Sequence, residues 1–172
     1  MNSGREIKAG DILVACDNLY HIPHGYMGHA AIAVDDKWLV EATDNVPYIR
    51  MKSFEHFLKE HPIHAQYRPR SAEMGQMAAS CAMDYQLKYA NNLRQGENKP
   101  TFAFLSGSPL HDPWGTVYCS KLVWLSYFYG VQYAFANDFG LFTPEDLDTC
   151  LKHDPHFELV YRHPRFRFVI NT

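Results

Sequence analysis

Three residues of this chain have the types that thiol-based acyl chemistry needs: Cys119 late in the sequence, and His29 and Glu41 early in it. Cys119 lies in Tyr118-Cys119-Ser120-Lys121-Leu122-Val123-Trp124, directly before the apolar run Leu125-Ser126-Tyr127-Phe128-Tyr129. Pro113, Gly115 and Thr116 precede it and Gly130 follows the run, so the pattern predicts a helix with Cys119 in its first turn. A sulfur there sits beside unpaired N–H groups and the positive end of the helix dipole, surroundings that favour the nucleophilic thiolate. A thiolate attacks an acyl carbon when an imidazole beside it moves protons and a polar group orients that ring. The plain alternative is a small buried cysteine, the usual role of a free one.

The other two groups fall on a predicted β-hairpin. His29-Ala30-Ala31-Ile32-Ala33-Val34 and Trp38-Leu39-Val40-Glu41-Ala42 flank a turn at Asp35-Asp36. Alternation places Ile32, Val34, Trp38 and Val40 on a core face, with His29, Ala31, Ala33, Leu39 and Glu41 on the other. A loop of Val34, Asp35 and Asp36 pairs Ala33 with Lys37 and sets His29 directly opposite Glu41, with Cβ atoms roughly 4.5–5.5 Å apart. The glutamate then holds the imidazole in one orientation, and small Ala31 and Ala33 leave space beside it.

The remaining elements frame these. Ile12-Leu13-Val14-Ala15-Cys16 is a continuous apolar run suited to a buried strand. The loop over 17–28 carries Tyr20, His21, His24 and Tyr26 and leads straight to His29, so these side chains are candidates to line a groove. Ser53 is placed to cap a short helix over 54–59, and Pro62 and Pro69 bracket a strand over 63–68. Ser71 begins the strongest helical pattern, over 71–93, whose methionines are ordinary core fillers. The stretch 101–105 fits either strand or helix. Thr143-Pro144-Glu145-Asp146 starts a helix running to about Lys152, and the runs 157–161 and 166–170 predict two closing strands. Cys16 and Cys81 are expected in the core and Cys150 at half burial. His56, His61, His64, His111, His153, His156 and His163 are expected at the surface.

Composition bounds the class. At 172 residues with 47% apolar and 15% aromatic side chains, the chain fits a single domain over 1–172 with its own core. A net charge of −3 offers no basic excess for nucleic acid. No apolar run reaches the ~18 residues of a membrane span. No apolar leader follows Met1, and the four cysteines are scattered, so reduced thiols and a cytoplasmic location are expected.

Gly10-Asp11-Ile12-Leu13, Gly28-His29-Ala30-Ala31-Ile32, Val40-Glu41-Ala42 and Tyr118-Cys119-Ser120-Lys121-Leu122-Val123 together resemble the circularly permuted papain-like amidases of the NlpC/P60 superfamily, the YiiX/YaeF-like group above all. The order carries the resemblance, because His and acid precede Cys here, whereas papain and ordinary NlpC/P60 enzymes have Cys first. The resemblance implies an α+β fold with an antiparallel sheet packed against helices, a Cys119-His29-Glu41 site, cleavage of a small amide or peptide through a thioester, and no metal or other cofactor. Tyr118 and Tyr26 are candidate side-chain oxyanion donors and, with Tyr20, His21 and His24, candidate substrate contacts. Ordinary NlpC/P60 enzymes act on cell-wall peptides outside the cytosol, so a recycled wall peptide or another small amide is the better expectation here.

Three other readings stay open. The thioester supports acyl transfer as well as hydrolysis. His21, His24 and His29 with Cys119 offer nitrogen and sulfur ligands for zinc, although His21 and His24 lie in a Pro-containing loop without HExxH spacing. The groove is also compatible with a non-catalytic binding module of the same fold.

Overall fold

The structure, a computed structural model, describes residues 5–17, 25–137 and 140–170. Its frame is a six-stranded antiparallel sheet in the order β4-β3-β2-β1-β5-β8. The strands are β1 (Ile12–Ala15), β2 (His29–Ala33), β3 (Trp38–Ala42), β4 (Ile49–Ser53), β5 (His64–Pro69) and β8 (Phe157–Arg162). A separate parallel pair joins β6 (Thr101–Phe102) to β7 (Thr116–Val117), so the ambiguous 101–105 stretch is a strand at its first two residues only.

Both faces of the sheet are covered. Helices α2 (Ala72–Gln95), α3 (Cys119–Val131) and α4 (Pro144–His153) pack on one face, over Ile12, Val14, Ile32, Val40 and Tyr67. Helix α1 (Phe54–Glu60) closes the other, setting Phe54 and Phe57 against Leu13, Ala15, Ala31, Ala33 and Leu39. Small alanines on the inner strands let α1 lie close. Such two-sided burial matches the unbroken apolar character of β1, whose four residues are all buried.

Local signals in the chain set the helix ends. Ser53 and Ser71 cap α1 and α2 by accepting from His56 N and Met74 N, and Thr143 forms a capping box with Asp146 at α4. α3 is buried from Cys119 to Tyr127, its polar Ser120, Lys121 and Ser126 included, as suits a central helix. It runs through Gly130 instead of stopping there. A Cβ on Gly130 would sit 2.8 Å from the Met77 carbonyl oxygen, so glycine there permits the close approach of α2 and α3. Among the described residues, no helix is long and apolar enough to cross a membrane.

Several expectations are corrected. The hairpin loop is three residues long, but it is Asp35, Asp36 and Lys37: Val34 N donates to Trp38 O, and Asp35 Oδ1 accepts from the backbone N–H groups of Lys37 and Trp38. This aspartate-anchored turn moves the pairing by two residues, to Ala31 opposite Glu41 and Ala33 opposite Leu39. Trp38 lies at the hairpin mouth, 44% exposed, and not in the core. Residues 166–170 form no strand, because Pro164 stops β8 and the chain turns to bond Gly25 through Val169 N. Cys81 is half-buried, and His61 and His64 are buried. Strand β4 was not anticipated.

Gly28 aims His29 into position. It has φ +77°, and a Cβ there would lie 2.3 Å from the Ala15 carbonyl oxygen and 2.8 Å from the Phe168 ring. Gly28→Ala is expected to cost roughly 1–3 kcal/mol or more. An unchanged urea midpoint would refute that account of the β2 entry.

Candidate functional site

All antiparallel neighbours of the sheet end together, so one end collects distant residues. β1 and β3 finish there and β2, β4 and β5 begin there, as the pairs Ala15–His29, Ala15–His64 and Glu41–Arg50 show. The N-terminus of α3 arrives at the same end. The result is a cavity of about 220 Å³ whose lining includes Cys119, His29, Glu41 and His61.

Glu41 is completely buried. Its Oε2 lies 2.8 Å from His29 Nε2, and its Oε1 accepts from Arg50 Nε at 2.8 Å and faces Lys52 Nζ at 3.1 Å. The pairing shift explains the reach. Because the slip is two residues, His29 and Glu41 remain on one face, now as a diagonal pair instead of a direct one, and their long side chains span the added distance. Lys52 also binds Glu60 at the end of α1.

The protonation of the pair follows from these contacts. Burial alone would lower His29, but its interactions with the Cys119 sulfur and with Glu41 outweigh it and raise the ring from 6.5 to about 10. Burial would raise Glu41, and His29 first, then Lys52 and Arg50, hold it well below the usual carboxylate range. With Nε2 engaged by Glu41, Nδ1 is the ring nitrogen left for Cys119. At neutral pH the imidazole is thus a held cation between the Cys119 sulfur and a carboxylate.

Cys119 is itself locked. It is the first residue of α3 and is buried. Its neighbours on both sides grip one residue: Ser120 Oγ donates to Phe142 O at 2.7 Å, and the Tyr118 hydroxyl accepts from Phe142 N at 3.1 Å. Tyr127 near the middle of α3 donates to Gly10 O at 2.6 Å. Tyr118 is the N-cap yet supplies no side-chain cap to the first turn of N–H groups.

The structure therefore brings Cys119, His29 and Glu41 to one cavity. It turns the Tyr118 phenol into the core, stacked on Phe104 with centroids 4.7 Å apart, which corrects its expectation as a substrate contact or side-chain oxyanion donor. Tyr26 is 44% exposed, two residues before Gly28, and is not part of the lining. Tyr20, His21 and His24 lie outside the described residues, so the groove and the zinc alternative that invoke them do too. Among the described residues, no group of three or more His, Cys, Asp or Glu side chains is arranged to hold a metal ion.

Sequence reasoning missed Arg50, Lys52, His61 and Asp17. The alternation in Ile49-Arg50-Met51-Lys52 was a signal for a strand with cations on one face. His61 carried no such signal. It ends α1 just before Pro62, where polar neighbours suggest solvent, and only the docking of α1 buries it.

The chain is a mixed α+β protein whose antiparallel sheet packs against helices and gathers a thiol, an imidazole and a carboxylate at one end. No protein-family model and no curated protein matches it. Among solved structures it is similar to the crystal structure of the metalloprotein YiiX from Escherichia coli O157:H7, with a TM-score of 0.49 and 15% identity over 91% of this chain and 97% of that one.

The charge pair sets a pH window. The raised His29 contributes stability that is whole below 6.5 and is lost as pH climbs towards 10. The depressed Glu41 contributes above 4.5 and loses it as pH falls through its lowered folded value. Glu41→Gln leaves the cations around it without their charge partner and is expected to cost about 3–5 kcal/mol. It should also lower the His29 titration midpoint, read from the ring proton by NMR. A midpoint unmoved by the substitution would sink this description of the pair.

Proposed function

We propose that the chain is a cysteine amidase or peptidase with a circularly permuted papain-like domain, in which Cys119 is the nucleophile, His29 the acid–base and Glu41 the orienting carboxylate. One observation carries the reading: Cys119, His29 and Glu41 line a single cavity, with Glu41 Oε2 2.8 Å from His29 Nε2 and the Cys119 sulfur helping to hold the proton on that ring. The absence of any disulfide among the four cysteines suits a thiol enzyme of a reducing compartment such as the cytoplasm.

The chemistry follows from the positions. The Cys119 sulfur, as thiolate, adds to the amide carbonyl carbon, and the C=O electron pair moves to oxygen. That oxyanion is met by first-turn N–H groups of α3, which Tyr118 leaves without a side-chain cap. Collapse breaks the C–N bond while His29 gives its proton to the leaving amine. A thioester on Cys119 remains, and water releases the acid. Glu41, tied also to Arg50 and Lys52, keeps the ring in place throughout. A cavity of about 220 Å³, with Phe102 and Phe104 in its lining, favours a small amide or short peptide, wall-derived peptides included.

The test is a panel of γ-linked peptides, lysine amides and lipid amides offered to wild type and to Cys119→Ala. Cleavage of at least one class should fall by at least about 10³-fold in the variant. Iodoacetamide should label Cys119 in preference to Cys16, Cys81 and Cys150, despite the half-exposed positions of Cys81 and Cys150. Turnover that survives in Cys119→Ala would overturn the assignment.

A further inference from the structure

Beside His29 the cavity holds a second imidazole that the steps above leave unused. His61 ends α1 as its C-cap, its backbone N–H donating to Phe57 O at 2.8 Å. Its ring lies over that of His29, with centroids 4.8 Å apart and planes inclined by 23°. A buried carboxylate stands behind it. Asp17 follows β1, and its Oδ2 accepts from Ile63 N at 3.0 Å while Oδ1 faces His61 Nδ1 at 3.4 Å. Among the described residues, neither of those two facing atoms has a hydrogen-bond partner elsewhere. The site thus holds two carboxylate–imidazole pairs with their rings face to face: Glu41 with His29, and Asp17 with His61.

The two pairs are not equivalent. The Glu41 contact is short, and it and the Cys119 sulfur hold the proton on His29. Burial lowers His61 below its ordinary value, against the pull of Asp17, and the charge on His29 lowers it further. At rest, therefore, His29 carries a proton while His61 is free to accept one. Paired groups whose environments separate their protonation divide acid work from base work.

We propose that His61 is a catalytic base for the second half-reaction, taking a proton from the water that opens the Cys119 thioester, while His29 serves as the acid of the first. The proposal rests on the thioester reading above. With Nδ1 turned to Asp17, Nε2 is the nitrogen available to water. The water oxygen bonds to the thioester carbonyl carbon as one of its protons passes to His61. Collapse breaks the C–S bond and returns the electron pair to sulfur. The product leaves as a carboxylate, shedding the second proton of the water. One of the two protons restores His29, which gave its own to the amine, and the other goes to solvent.

The experiment separates the two steps with p-nitrophenyl acetate, following nitrophenol release for acylation and intact-protein mass for the acetyl adduct. In wild type the adduct on Cys119 should form and clear. In His61→Gln it should form at a rate within about threefold of wild type and clear about 10²-fold more slowly, so that it accumulates. Asp17→Asn should slow clearance in the same sense and decides the matter if His61→Gln fails to fold by circular dichroism. Equal slowing of both steps, slowing of the first alone, or no change overturns the assignment of His61 and leaves Cys119 as nucleophile. Absence of any Cys119 adduct in wild type and in both variants overturns the thioester reading, and this proposal with it.

Discussion

A carboxylate with no access to water is the constraint around which this molecule is arranged. Moving Glu41 from water into the sheet costs several kcal/mol. The cost is offset only because both oxygens are occupied: Oε2 by His29, and Oε1 by Arg50 and Lys52. Those partners come from two different neighbouring strands, one on each side of β3. The central placement of β3 between β2 and β4 is therefore what lets one acid be reached by an imidazole from the left and two cations from the right. Any register that moved β3 by a single residue would turn Glu41 to the opposite face and strand all three.

The antiparallel sheet solves a delivery problem at the same time. Chain segments separated by about half the sequence must bring a thiol and an imidazole together. Strands that all start or finish at one end, with the N-terminus of a buried helix meeting that end, achieve this without a long loop carrying a reactive residue. The helix is held by contacts far from Cys119, such as Tyr127 on Gly10, and by contacts adjacent to it, where Ser120 and Tyr118 hold Phe142 from either side. Rigid packing on both flanks suits a group that must keep its geometry to a fraction of an ångström. The covering of the outer face by α1 adds the second imidazole, so the same packing that closes the core also furnishes the pair of stacked rings.

What the sequence by itself determined is local. The helix caps at Ser53, Ser71 and Thr143, the first-turn position of Cys119 and the apolar run of β1 all follow from side-chain chemistry within a few residues. The common face of His29 and Glu41 hung on the turn length: a two-residue turn would have split them, whereas the aspartate turn slipped the expected pairing by two residues, the repeat of strand side chains, and kept them together. Only the tertiary structure decided what depends on contact between distant segments. The burial of His61, the cations gathered on Glu41, the inward turn of the Tyr118 phenol and the loss of a second closing strand each arise from packing partners tens of residues away. A sequence window holds no record of such partners, since burial is a property of what another part of the chain covers. The types and order of Cys119, His29 and Glu41 were therefore open to reading in the sequence, whereas the protonation of the site belongs to the folded molecule, where water is excluded and charges are forced to answer one another.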